Sequence, residues 1–204
     1  MTNKIIRSII IDYLKQTFQG EDVGIACIYC SYGERQEQTA TNLIASLVQQ
    51  LIQRRRIVPN NIANVYTRHV HTQTRPSLRE WSDLLQYEVG SFSKVFVVID
   101  ALDECPENNG TRESFIAEIK KLRPSIHLLV TSRDIASIER EFEKAARLDI
   151  LANDEDIRRY LGGRIERGRL KRHVRADPTL QDVIVNTLVG KARGMFVKSL
   201  TDAR

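Results

Sequence analysis

The 204-residue chain contains only three cysteines, one tryptophan and two methionines. So sparse and odd a set of thiols cannot build a disulfide framework, and it fits a reducing, cytoplasmic compartment. No apolar run approaches the ~20 residues needed to cross a bilayer, so no membrane partner is expected. The N-terminal MTNKIIRSIIIDYL places a basic residue before an apolar patch, as a leader would, but Arg7 and Asp12 interrupt it and no small-residue cleavage site follows. It reads instead as an amphipathic helix, with Ile5, Ile6, Ile9, Ile10, Tyr13 and Leu14 at helical spacing. The four histidines are scattered, and His69 and His71 have no cysteine or carboxylate cluster beside them. Cys27 and Cys30 have CxxC spacing, but on an extended IACIYC segment residues three apart face opposite sides, so they read as core cysteines.

Hydrophobic residues make up 42% of the chain and charged ones 28%, ordinary values for a globular protein, and the length suits one α/β domain and part of a second. The most informative stretch is Val95 to Glu107, VFVVIDALDECPE. Val95 to Ile99 is short, β-branched and apolar on both alternating faces, which predicts a strand buried on both sides of a parallel sheet. Asp100 then stands at its carboxyl end, where open α/β sheets bind ligands and where a carboxylate can hold a hydrated Mg²⁺. Asp103 and Glu104 follow within one turn, close enough for either to orient or deprotonate a water attacking a phosphoryl group. The pattern is that of a Walker B motif. The competing reading is an aspartate that merely caps the next turn.

A second strand, HLLVT, ends in Thr131, Ser132 and Arg133, whose hydroxyls and planar guanidinium can bind nucleotide phosphate beside those carboxylates. The alternative for Arg133 is a surface ion pair with Asp134 or Asp100. Between the strands, Thr39 to Gln53 predicts an amphipathic helix, followed by Arg54 to Arg56 at its negative pole and by Pro59. Asn61 to His71 is a shorter helix with Ile62, Val65 and Tyr66 inward. Ser77 to Glu80 forms a capping box that starts a helix through Val89. Ile25 to Tyr29 is a further buried strand, with Tyr29 and Ser31 as weak site candidates, and Arg147 to Leu151 a last extended segment. Asn153 caps a helix with Ile157, Tyr160, Leu161 and Ile165 inward. Asp177 before Pro178 caps another, carrying Leu180, Val183, Ile184 and Leu188, and Gly194 to Leu200 begins one more helix.

DALDEC after a hydrophobic strand and LLVTSRD some way downstream, with IACIYCSY, DEDIRRYL and GMFVKSL in the same order, resemble the fungal NACHT-type signalling NTPases of the STAND class, also described as nephrocystin-like and NLR-related. The resemblance implies a three-layer P-loop NTPase-type parallel sheet in residues 1–151, of strand order 5-1-4-3-2, and the start of a helical domain in residues 152–204. It also implies Asp100 as Mg²⁺ ligand, Asp103 and Glu104 as catalytic carboxylates, Thr131, Ser132 and Arg133 as a nucleotide sensor, and ATP or GTP as the nucleotide. Expected partners are self-association through the NACHT module, an effector domain and ankyrin or WD repeats, in non-self recognition or incompatibility signalling. No GxxxxGK[ST] phosphate loop occurs in the sequence. In relatives that loop precedes the helix matching Ile5 to Phe18, so the chain is expected to begin just after it and to lack the first strand. Parallel pairing would then stop at the HLLVT strand, leaving it an open edge, with Arg147 to Ile150 two strand spacings away. Two other functions remain: a nucleotide-independent scaffold, and nucleic-acid binding through the basic stretch from Arg158 to Arg175, supported by a net charge of +5. That stretch has no aromatic platform beyond Tyr160, and a solvated helix face is preferred.

Overall fold

The computed structural model describes residues 2–19, 22–55, 58–122, 125–151, 153–192 and 196–201. Arg56 and Gly194, which figure in the sequence expectations, lie outside them. The chain divides into two compact units, one of Met1–Leu148 with Ser199–Arg204 and one of Asp149–Lys198.

In the first unit, β1 (Val23–Tyr29), β2 (Lys94–Asp100) and β3 (His127–Ser132) pair in parallel, with β2 in the middle as its two-sided apolar character requires. Helix α1 (Thr2–Thr17) covers one face, where Ile10, Leu14 and Phe18 meet Ile25, Phe96, Val98 and Leu129. Helices α2 (Ala40–Gln53), α4 (Leu78–Gly90) and α5 (Thr111–Lys121) cover the other, against Ala26, Ile28, Val95, Val97 and Ile99. The period-two alternation along β2 thus assigns successive residues to two separate apolar layers. Each fully buried Leu or Ile among them contributes about 1.5–3 kcal/mol. Close approach of α2 to β1 depends on Gly24, because a Cβ there would lie 2.8 Å from Leu51 Cδ2 and 3.1 Å from Val95 Cγ2.

Not every apolar residue at helical spacing is covered. On α1, Ile9 and Tyr13 are exposed, since the sheet is met by the Ile10, Leu14 and Phe18 stripe. On α3 (Asn60–Thr72), Ile62 and Val65 pack against the core while Tyr66 points to solvent. The capping box of α4 forms as expected, with Ser77 Oγ accepting from the Glu80 N–H and Glu80 Oε2 accepting from the Ser77 N–H at 2.8 Å.

The sheet continues beyond β3 in the order β1-β2-β3-β5-β4, where β4 is Ala146–Leu151 and β5 is Phe196–Thr201. This corrects three expectations. Residues 196–201 are a strand and not part of a helix, β3 is not an open edge separated from β4 by a gap, and the place expected of a lacking first strand is filled by β5. The physical reason is that a bare strand edge leaves a row of backbone donors and acceptors unpaired, and a short apolar run whose periodicity fits helix or strand is decided by such tertiary demand.

The edges in this order are β1 and β4, and at β1 side chains meet the exposed backbone. Gln50 Oε1 accepts from the Cys27 N–H at 2.8 Å while its Nε2 donates to the Cys27 carbonyl at 2.8 Å. An Arg54 NH1 donates to the Val23 carbonyl at 3.0 Å. Gln38 Nε2 donates to the Tyr29 carbonyl at 3.4 Å, and its Oε1 accepts from the Ser31 N–H at 3.2 Å. Backbone groups along the outer side of β1 are therefore met by side chains of the same unit.

In the second unit, α7 (Asp154–Arg167), α8 (Lys171–Ala176) and α9 (Pro178–Ala192) enclose a small core of Ile165, Val185 and Val189, flanked by Ile157, Leu161, Val174 and Ile184. Asn153 caps α7 through the Glu155 N–H, and Asp177 accepts from the Thr179 N–H at the start of α9. The buried face of α9 is turned from the expected one, for Val183 and Leu188 are exposed. Apolar residues nearly encircle this helix, so spacing alone does not choose the face. Tyr160 is likewise exposed.

Gln50→Leu is expected to remove the two hydrogen bonds that Gln50 makes to the Cys27 backbone, destabilising the fold by about 1–3 kcal/mol and opening β1 to pairing with a second chain. A lower urea midpoint together with concentration-dependent light scattering is the expected result. An unchanged midpoint would show that Gln50 does not protect this edge.

Candidate functional site

The carboxyl ends of β2 and β3 meet at the acidic turn. β2 ends on Asp100, which is 3% exposed, and the chain reverses through Ala101 in the left-handed region, φ 56° and ψ 49°. A residue with a Cβ is held there at a cost of roughly 1–2 kcal/mol and needs compensating bonds. It has them: the Ala101 N–H donates to Thr131 Oγ1 at 2.9 Å, and its carbonyl accepts from the Glu104 N–H at 2.8 Å. The same Thr131 hydroxyl donates its own proton to Asp100 Oδ1 at 2.6 Å. One hydroxyl on β3 thus orients the carboxylate on β2 and fixes the turn that follows it.

Leu102–Glu104 is a single 3₁₀ turn, and it sends its two carboxylates in different directions. Asp103, itself buried, accepts from the Arg133 N–H at 3.1 Å on Oδ1 and from Arg133 Nε at 2.5 Å on Oδ2. Hydrogen bonding to Asp103, and then its charge, raise the Arg133 guanidinium above its ordinary pKa. Glu104 is half-buried, and its Oε2 accepts from the Tyr32 N–H at 3.2 Å. Tyr32 opens a 3₁₀ turn after β1 that Ser31 caps by accepting from the Gly33 N–H, and the Arg35 guanidinium lies 3.4 Å from the Tyr32 ring centroid.

Asp100, Asp103, Thr131 and Arg133 are therefore brought together, with Glu104 on the side facing the β1 loop. Arg133 pairs with Asp103, neither of the two partners considered for a simple surface ion pair, and its side chain is 63% exposed. Ser132 turns away from this group: it is 1% exposed and its Oγ donates to the Arg133 carbonyl at 2.7 Å. Tyr29 lies level with Asp100 across the sheet, and the Cys30 N–H donates to the Asp100 carbonyl at 3.0 Å.

Sequence reading missed Tyr32, Gln38 and the left-handed Ala101. A glycine at the reversal would have announced it; an alanine does not. It also missed that Cys30 and Cys105 are buried in one apolar cluster. The neighbouring Cys105 thiol, together with burial, pushes the Cys30 thiol up, and the Cys30 thiol with the nearby Arg112 guanidinium lowers the Cys105 thiol.

As a metal site, the donor set is hard oxygen: one oriented carboxylate beside a hydroxyl. Among the described residues no group of three or more His, Cys, Asp or Glu is placed to hold an ion. Mg²⁺ commonly takes only one or two carboxylates, with waters and phosphate oxygens completing its shell, so Asp100 fits that ion in company with a nucleotide.

Residues 4–133, more than half of the chain, match the family described as Nephrocystin 3, N-terminal. The chain belongs to this family. No curated protein and no solved structure matches it. The nephrocystin-like, NACHT-related region runs from α1 to Arg133, so it takes in β1, the acidic turn and the whole of the Asp103 to Arg133 pair. No helix among the described residues is long and apolar enough to cross a membrane.

Within this nephrocystin-like region, Thr131→Val keeps the side-chain shape but takes a hydrogen bond from Asp100 and another from Ala101. It should lower stability by about 1–3 kcal/mol in urea unfolding, with Thr131→Ser recovering most of the loss. Equal midpoints for the Val and Ser variants would contradict the assigned role of the hydroxyl.

Proposed function

We propose that this chain is the nucleotide-handling part of a NACHT-type signalling NTPase of P-loop fold. The observation that carries the reading is the Asp100 carboxylate, buried at the end of the middle parallel strand and oriented by Thr131 from the neighbouring one. In this reading Asp100 is the residue that holds hydrated Mg²⁺ with ATP or GTP. When bound, the ion supplies charge neutralisation on the phosphates. Glu104 orients or deprotonates the attacking water. Asp103 takes the role of anchor for Arg133, whose exposed guanidinium is placed to report the terminal phosphate. Such modules exchange nucleotide, open and self-associate, and the expected setting is a cytoplasmic, fungal signalling protein with effector and ankyrin or WD repeat domains.

A second reading, a scaffold independent of nucleotide, is favoured by one specific observation: Thr131, Ser132 and Asp103 all spend their polar atoms on bonds within the chain. The sequence also contains no GxxxxGK[ST] loop to cradle β- and γ-phosphates.

Titration separates the two. The 204 residues alone should show no micromolar Mg-ATP or Mg-GTP binding. The same chain preceded by a GxxxxGK[ST] segment should bind nucleotide in a Mg²⁺-dependent way. In that form Asp100→Asn should weaken binding at least about tenfold, while Glu104→Gln spares binding and slows hydrolysis by about 10²-fold or more. Asp103→Asn should be milder in hydrolysis than Glu104→Gln; the reverse order would exchange their roles. Absence of binding in both forms would favour the scaffold.

A further inference from the structure

The positive charge of the chain is concentrated in its second unit. From Arg158 to Arg175 there are eight Arg or Lys residues against the single acid Glu166. That surplus of seven exceeds the net +5 of the whole sequence, so the remainder of the chain is net acidic. Charge segregated in this way builds a local field of one sign. In the first half of α7 the cations have partners: Arg158 donates to Asn186 Oδ1 at 2.7 Å, and Arg159 lies 3.8 Å from Asp156. Further along they do not. Among the described residues Arg164, Arg167, Arg169, Lys171, Arg172 and Arg175 form no ion pair, and all six are exposed.

The junction between α7 and α8 sets an apolar residue among these cations. Glu166 to His173 is a run of eight exposed residues, and within it Leu170 is 45% exposed. Hydrogen bonds fix its place. The Leu170 carbonyl accepts from the His173 and Val174 N–H groups, both at 3.0 Å, and the Lys171 N–H donates to the Gly168 carbonyl at 3.2 Å. Val174, on the same short helix, is half-buried against the core of Ile165, Val185 and Val189. The backbone therefore holds an exposed leucine with Arg167 and Arg169 before it and Lys171 and Arg172 after it.

We propose that the junction of α7 and α8 docks on an anionic lipid bilayer surface, with Leu170 entering the interface and the surrounding cations meeting lipid phosphate and carboxylate groups. Contact of this kind lies at the headgroups and needs no spanning run. Each Lys or Arg near an anionic leaflet adds to the attraction, and a cluster of about four to eight suits acidic phospholipids. A nucleic acid offers similar phosphates, but its binding gains from aromatic stacking or from side chains reading base edges, and the junction has no Phe, Tyr or Trp. An exposed leucine among the cations has a use at a bilayer, where its burial removes apolar surface from water. One leucine is a weak anchor, so the docking is reversible and sensitive to salt. It stands whether or not the chain handles nucleotide.

The test is flotation of the full chain with vesicles of phosphatidylcholine alone and with vesicles of phosphatidylcholine mixed with phosphatidylserine. Binding to the mixed vesicles only, falling as salt is raised, is expected. The combined variant Arg169→Gln, Lys171→Gln, Arg172→Gln should weaken it at least about tenfold. Leu170→Ser should weaken it by about tenfold with every charge retained. Arg169→Lys with Arg172→Lys should preserve it, because a lipid surface reads the charge and not the planar guanidinium. No binding to the mixed vesicles, equal binding to both kinds, or a Leu170→Ser variant that binds as tightly as the parent would each overturn the proposal. Binding of a single-stranded oligonucleotide that the triple variant loses, with no vesicle binding, would assign the cations to nucleic acid and overturn it as well. The parent chain on the two kinds of vesicle decides even where a variant folds poorly.

Discussion

A 2.6 Å hydrogen bond from Thr131 to Asp100 joins the carboxyl ends of two adjacent parallel strands at a place with almost no access to water. Much else depends on it. A buried carboxylate without a donor is costly, and a left-handed alanine without a partner for its N–H is costly too. The single hydroxyl answers both needs, because it donates to Asp100 while accepting from Ala101. With the reversal fixed, the next turn can present Asp103 to Arg133 and Glu104 to the Tyr32 N–H. The acidic turn is thus positioned from two sides, by β3 through Thr131 and Arg133 and by the loop after β1 through Tyr32.

The same economy of backbone groups shapes the sheet. β1 lies at its margin, and Gln38, Gln50 and Arg54 supply donors and acceptors that a further strand would have supplied. At β3 the requirement is met differently, by β5. Each solution leaves the apolar layers on the two faces of β1, β2 and β3 undisturbed, and these layers set the positions of Asp100 and Thr131.

The central strand and its acidic end were legible because burial on both sides demands a continuous β-branched run, and few other structural settings demand one. The helices facing it were legible for the complementary reason, since Leu43, Ile44, Leu47, Val48 and Leu51 repeat with the period of a helix. The strand at Phe196–Thr201 was not legible, because its pattern fits helix or strand and the choice is made by a distant backbone edge. Nor was the buried face of α9, where apolar residues almost encircle the helix. Within the site, residue types gave the carboxylates, but not their division of labour. That Asp103 is bound on both oxygens while Glu104 meets only a loop amide among its described hydrogen bonds is a matter of the turn's handedness, which Ala101 conceals.

If β3 holds the acidic turn in place, the Asp103 to Arg133 pair must carry part of that hold, and it offers the most direct test. A double-mutant cycle in urea with Asp103→Asn, Arg133→Gln and the combined variant isolates their coupling from the separate cost of each change. A coupling of about 1 kcal/mol or more is predicted, since Asp103 is buried and bonded twice, unlike an exposed surface pair. Additive effects, with a coupling within about 0.3 kcal/mol of zero, would contradict it.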